Sequence, residues 1–232
     1  MAIFFCSDLH GEYDLFMRLT EKCRVGSGDV VYVLGDVIDK GRDGFRLLDA
    51  IAEDKTFKAL CGNHEYALLQ VYHDYMEDFS GEGEEEVLRK IRNFYPTDGE
   101  FLTWNTIDHA DALPFYIEEK DFICVHAGLE MDADGRIVPM EKQNVNRLIY
   151  DRKFKERRVI PQTRKTVLFG HTPCYLENGT GKFIKTLRPG VREGRKLSDY
   201  IKIRLDTGVA FSGMLGMLRS DENGLTEIYV EK

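Results

Sequence analysis

At 232 residues, 43% hydrophobic and 31% charged, the chain has the composition of a globular protein able to bury a sizeable core. Its formal charge of −8 argues against a nucleic-acid backbone as the main partner, and no apolar run reaches the length of a membrane span. Met1-Ala2-Ile3-Phe4-Phe5 enters a strand pattern with no basic segment ahead of it, so no signal peptide and a cytoplasmic location are expected.

The first predicted strand, Ile3 to Cys6, ends in Ser7-Asp8-Leu9-His10-Gly11-Glu12. A helix follows with Leu15, Phe16, Leu19 and Cys23 on one face. Asp29 to Leu34 reads as a buried strand and hands over to Gly35-Asp36-Val37-Ile38-Asp39-Lys40-Gly41-Arg42-Asp43-Gly44, ahead of a helix over Phe45 to Ala52. Asp43 stands where a helix cap is expected, whereas Asp36 has no such structural duty. A short strand, Phe57 to Cys61, ends in Gly62-Asn63-His64-Glu65. Strand, polar turn and helix thus repeat, which predicts a layered and largely parallel sheet.

Residues 66–112 change character, with helical spacing in Tyr66 to Met76 and again around Val87, Leu88 and Ile91. Asp98 reads as the N-cap of a third helix carrying Phe101, Leu102 and Trp104. This stretch is too short to hold its own core and reads as a helical insert in a single domain spanning 1–232. Its acidic run, 82–86, reads as a solvated face. Pro114 to Glu118 and Asp121 to Val125 form a predicted hairpin that closes on His126-Ala127-Gly128. A helix around Val145, Leu148 and Ile149 precedes the charged stretch Asp151 to Arg158, and Thr166 to Phe169 closes on Gly170-His171-Thr172-Pro173. Four further strands are expected at Phe183 to Lys185, Tyr200 to Leu205, Met214 to Leu218 and Leu225 to Val230. Arg188, Arg192, Arg195 and Lys196, in the loop 188–196, read as solvated charge.

Four of the six histidines therefore fall just after buried strands, together with Asp8, Asp36 and Asn63. Oxygen and nitrogen donors without a thiolate suit manganese, iron or zinc, and there are too many donors for one ion. The five cysteines are odd in number and contain no CxxC pair, so no disulfide is expected. Cys6, Cys61 and Cys124 stand inside apolar strands and read as small buried hydrophobes. His73 and His109 lie outside every motif and read as packing or surface residues.

The ordered set Asp8-Leu9-His10-Gly11, Gly35-Asp36 to Gly41, Gly62-Asn63-His64-Glu65, His126-Ala127-Gly128 and Gly170-His171-Thr172 resembles the calcineurin-like metallophosphoesterases. It is most similar to the branch of protein-serine/threonine phosphatases and bacterial symmetrical dinucleoside tetraphosphatases, and Leu205-Asp206-Thr207-Gly208 resembles that branch's last motif. The resemblance implies an α/β fold of two packed mixed sheets flanked by helices. It implies two divalent ions, manganese first, with Asp8 and His10 on one, Asn63, His126 and His171 on the other, and Asp36 between them. His64 is implied as the general acid and Asp39 as the carboxylate that orients it.

Phosphate-binding roles are implied for Arg152, in Tyr150-Asp151-Arg152, with Arg147 as its alternative, and for Asn63. Phosphate binding is implied also for Lys40, where the family places an arginine, and for Arg42 close by. The expected function is two-metal phosphomonoester hydrolysis on phosphoserine or phosphothreonine. A dinucleoside polyphosphate or other nucleotide is the alternative substrate, and a non-catalytic binding module is a third reading. The expected partner is a phosphoprotein or a small phosphorylated molecule, not a membrane or a nucleic acid.

Overall fold

The computed structural model describes residues 1–78, 83–157 and 165–232. Ser80 to Glu82 of the acidic loop and Arg158 of the charged stretch lie outside the described residues. Two five-stranded mixed sheets pack face to face with helices outside them, as the sequence leads one to expect. The first contains β1 (Ile3–Cys6), β2 (Val30–Val33) and β3 (Phe57–Ala59), which run parallel, and the hairpin β9 (Met214–Asp221) and β10 (Gly224–Glu231), added antiparallel beyond β1. The second has a parallel centre of β5 (Phe122–Val125), β6 (Thr166–Phe169) and β8 (Tyr200–Arg204), edged antiparallel by β4 (Tyr116–Glu118) and β7 (Ile184–Leu187).

Strand alternation explains the layering. Phe4 and Cys6 turn towards the helices while Phe5 faces the other sheet, stacking beside Tyr32 of its own sheet and against Phe122 of the second. Leu34, Leu60, Cys124, Leu168, Ile203 and Leu218 complete that inter-sheet core. The helices α1 (Tyr13–Cys23) and α2 (Gly44–Glu53) cover the first sheet through Leu15, Phe16, Leu19, Leu47 and Leu48. The helix α6 (Val145–Tyr150) covers the second through Leu148 and Ile149.

The stretch read from the sequence as a helical insert carries α3 (Asn63–Asp78), α4 (Glu84–Arg92) and α5 (Trp104–Asp111). Leu68, Leu69, Val87, Leu88, Ile91 and Ile107 join the same apolar cluster as α1 and α2, so the insert thickens that layer. Two caps differ from expectation. Asp43 occupies the N-cap position of α2, but its side chain makes no cap bond and lies 3.8 Å from Arg46. The cap comes instead from Asp98, whose Oδ2 accepts from Gly44 N at 3.0 Å. The third helix of the insert is capped by Thr103, which exchanges bonds with Thr106. His109 packs against Asp49, and all five cysteines are buried free thiols. No helix among the described residues is long and apolar enough to cross a membrane.

Candidate metal centre

Because the parallel strands of both sheets end on one side, the loops after β1, β2, β5, β6 and β8 and the first turn of α3 converge on one cleft of about 180 Å³. Asp8, His10, Asp36, Asn63, His64, His171 and Arg152 line it. Asp36 stands at its centre. One group of candidate ligand atoms, from His10, Asp36 and His64, lies within 4.8 Å of one another, and so does a second from Asp36, His126 and His171. Asp36 belongs to both.

Asp8 Oδ1 approaches the first group at 4.0 Å from His10 Nε2, and Asn63 Oδ1 joins the second at 3.1 Å from His126 Nε2. Asp8 Oδ2 accepts from Ser7 Oγ at 2.5 Å and from His171 N at 3.0 Å. Gly170 permits that approach, since a Cβ there would overlap the Asp8 carboxylate.

Backbone bonds settle the tautomers. His126 Nδ1 donates to Leu34 O at 2.8 Å and His10 Nδ1 to Ile38 O at 3.2 Å, which turns the Nε2 of His126 towards Asp36 and Asn63 and that of His10 towards Asp8 and Asp36. His171 presents Nδ1 at 3.2 Å from His126 Nε2. Six non-glycine residues here hold left-handed backbone: Asp8, His10, Asp36, Asp39, Lys40 and His171, with φ between 46° and 67°.

The electrostatics call for cations. Asp8, Asp36 and Asp206 are each only 2% exposed. Burial opposes the charge on Asp36, yet His126, His64 and His10 hold its carboxyl well below the usual range. Burial likewise opposes a proton on His126, but Asp36 and Asp8 push its pKa up to about 10. Burial, with the positive charges of His126 and Arg152, brings His171 down to about 3. Burial pushes Asp206 upward, and Asp8 and Asp36 add to the rise. Buried carboxylates beside imidazole nitrogens that face one another make a donor set that divalent ions fit, the ion taking the place of the shared proton.

His64 sits in the first turn of α3 at the edge of this cluster. Its Nδ1 is 2.5 Å from Asp39 Oδ2 and its Nε2 is 3.8 Å from Asp36 Oδ2. Burial alone would lower its pKa; the bond to Asp39 and the charge of Asp36 outweigh this and raise it.

Two cations flank the cleft. Lys40 Nζ is 2.7 Å from His10 Nε2, and Arg152 Nη1 is 3.5 Å from His171 O. The loop carrying Arg152 is gathered by buried Lys202, whose Nζ donates to the carbonyls of Phe154, Lys155 and Arg157 at 2.9, 2.7 and 2.9 Å. Arg42 lies apart, lining an adjoining cleft that shares Lys40, and Arg147 lines neither.

Sequence reasoning named Glu65 and Asp206 only as motif letters. Glu65 is wholly buried and accepts from the backbone N–H of Asp36, Val37, Ile38 and Gly62 at 2.8–3.1 Å. It thereby shapes the loop that presents Asp36. Asp206 closes β8, lines the cleft and accepts from Gly208 N at 2.7 Å. The signal for both was an acid beside a strand-end motif.

A family model described as calcineurin-like phosphoesterase matches residues 1–197. The chain belongs to the calcineurin-like phosphoesterases. Its similarity to two proteins named symmetrical bis(5'-nucleosyl)-tetraphosphatase agrees with that placement. With the one from Buchnera aphidicola subsp. Schizaphis graminum it shares 27% identity over 131 residues, 56% of this chain and 45% of that protein. With the one from Mannheimia succiniciproducens it shares 29% over 139 residues, 58% of this chain and 46% of that protein. The matched span is thus less than half the length of these relatives. A crystal structure described as a putative diadenosine tetraphosphatase superposes with TM-score 0.65 at 15% identity, covering 98% of this phosphoesterase chain and 93% of the other. That likeness supports the same fold.

Proposed function

We propose that this phosphoesterase hydrolyses a phosphate anhydride in a dinucleoside polyphosphate, using two divalent ions held on either side of Asp36. The observation that carries the reading is the single buried carboxylate shared by two histidine-containing donor groups. Asp8 and His10 would complete one site, and Asn63, His126 and His171 the other. Manganese is the first ion to test, then iron and zinc. Bound there, such ions would neutralise phosphoryl oxygens and lower the pKa of water.

The chain's own groups supply the rest. Arg152 and Lys40 face the non-bridging oxygens of the phosphate chain. Water adds to phosphorus as the bond to the bridging oxygen breaks. His64, whose pKa is raised against burial by its bond to Asp39 and the charge of Asp36, gives its Nε2 proton to the departing oxygen. Cleavage at the central anhydride of a dinucleoside tetraphosphate yields two nucleoside diphosphates.

Phosphoserine and phosphothreonine form the second reading. The dinucleotide reading takes precedence because the curated relatives carry tetraphosphatase names. The test is a side-by-side measurement of kcat/KM on diadenosine tetraphosphate and a phosphopeptide panel with added manganese. A clear preference for the dinucleotide is expected. Equal or better turnover of the phosphopeptides would return the assignment to a protein phosphatase.

A further inference from the structure

One rim of the metal cleft is apolar. Pro173, Leu176, Ala210 and Phe211 line it together with the donor cluster. Leu176 is 66% exposed and Phe211 61%, far more than large apolar side chains on a packed face. They come from two short helices, α7 (Tyr175–Asn178) after β6 and α8 (Val209–Ser212) after β8. Exposed apolar side chains that continue a polar phosphate cleft are a surface for an apolar or aromatic substituent of the bound phosphate.

The rim is built into the fold. Gly208 adopts φ 72°, and a Cβ there would stand 2.9 Å from Pro173 Cβ and 3.3 Å from Tyr175 Cβ. Only a residue without a side chain lets the two turns close together. On the α7 side, Arg204, buried in β8, pairs with Glu177, and Cys174 N donates to Asp206 O at 2.8 Å. On the α8 side, Val209 is buried and Phe211 N donates to Gly208 O at 2.8 Å. The same strand end, Arg204 to Gly208, thus carries one cleft acid and fixes both rim helices.

We infer that this rim is a nucleobase subsite, with the Phe211 ring as the stacking platform for one base of the substrate and Leu176 beside it. The inference rests on the cleft being a phosphate site and specifies which end of the ligand selects the substrate. Charge favours a base over a peptide: the remaining wall carries Lys40 and Arg152, which suit a run of phosphates, while Pro173, Leu176, Ala210 and Phe211 are uncharged and Glu177 beside them is held by Arg204 and Lys155.

The test is calorimetric binding to the manganese-loaded protein, with two hydrolysis-resistant probes: α,β-methylene-ADP, which carries a base, and methylenediphosphonate, which does not. Phe211→Ala is expected to weaken the nucleotide probe roughly tenfold, the loss typical of one stacked base, and to leave the diphosphonate within about twofold. Phe211→Trp is expected to restore nucleotide binding. Equal weakening of both probes, or of neither, would overturn the subsite. So would a loss confined to a phosphoserine peptide, which would make the rim a peptide contact. Absence of diphosphonate binding to the unaltered protein would instead fault the phosphate-site reading. If the probes discriminate but diadenosine tetraphosphate is not cleaved, the subsite stands and the proposed activity falls.

Discussion

The His64 ring and the Asp39 carboxylate meet at 2.5 Å, while the other ring nitrogen faces Asp36. A carboxylate that accepts from one imidazole nitrogen fixes the ring's orientation and raises its pKa, favouring the imidazolium in which the far nitrogen also carries a proton. Such a group accelerates cleavage most where the leaving oxygen is a poor one. His64→Asn is therefore expected to slow an alkyl phosphomonoester by about 10²–10⁴ and an anhydride or aryl phosphate far less, because their leaving oxygens need little help. Asp39→Asn should follow the same ranking with smaller losses. Steady-state kinetics across a leaving-group series checks this, and a uniform loss would remove His64 from the role of acid.

Asp36 joins the two donor groups, so neither should survive its loss of charge. Chelation is expected to lower Tm, and manganese to restore it in a concentration-dependent way, by about 2.7 kcal/mol at a hundred times its Kd. Asp36→Asn should abolish most of that response and cut bound manganese. Thermal shift together with elemental analysis measures both. Two ions retained in the variant would exclude a shared carboxylate.

Lys202 is buried and reaches three carbonyls in the turn after Arg152. Burial, with Arg204 nearby, lowers its pKa to about 8. Removing the ammonium leaves those carbonyls without their common donor and lets the turn drift. Lys202→Met is expected to cost roughly 10–100-fold in kcat/KM through misplacement of Arg152. In an Arg152→Ala background the same change should cost less than about twofold. A double-mutant cycle reads the difference, and additive losses would mean that Lys202 only supports the fold.

Asp98 caps α2 from the insert, although burial raises its pKa and the charge of Asp39 adds to the rise. A carboxyl that is harder to ionise in the folded chain than in the unfolded one contributes stability at low pH. That contribution is lost as pH climbs from the ordinary carboxylate value through the raised one. Asp98→Asn keeps an oxygen for Gly44 N and removes the ionisation. Its stability relative to the parent should therefore improve as pH rises above about 4. Asp98→Ala, which loses the cap, should cost about 1 kcal/mol. Urea unfolding at several pH values measures both.

The fold was legible because each strand carries an apolar run ahead of a polar turn, as in Val30 to Val33 before Asp36 and Thr166 to Phe169 before His171. The histidines and aspartates gathered in the cleft could be picked out for the same reason. The duty of Glu65 could not, since it lies in bonds to a loop 27–29 residues away. Asp98 misled because a local capping pattern looks the same whether the acid serves its own helix or another. Helix α3 begins at Asn63, three residues before its apolar periodicity, so Asn63 and His64 looked like a loop. The four-residue helices bearing Leu176 and Phe211 are too short for any periodicity to show.

Asp39 and Lys40 are consecutive residues with φ 67°, a conformation that costs a side chain on the order of 1 kcal/mol and costs glycine almost nothing. Glycine at either position should make the protein harder to melt, and each replacement would delete a group to which the proposed function gives a task. A variant library sorted only for heat tolerance would accumulate glycine at this turn and lose turnover as it did so. On the roles proposed for Asp39 and Lys40, thermal resistance and catalysis are set against each other at two adjacent residues, and they can be improved together only by changes made elsewhere in the chain.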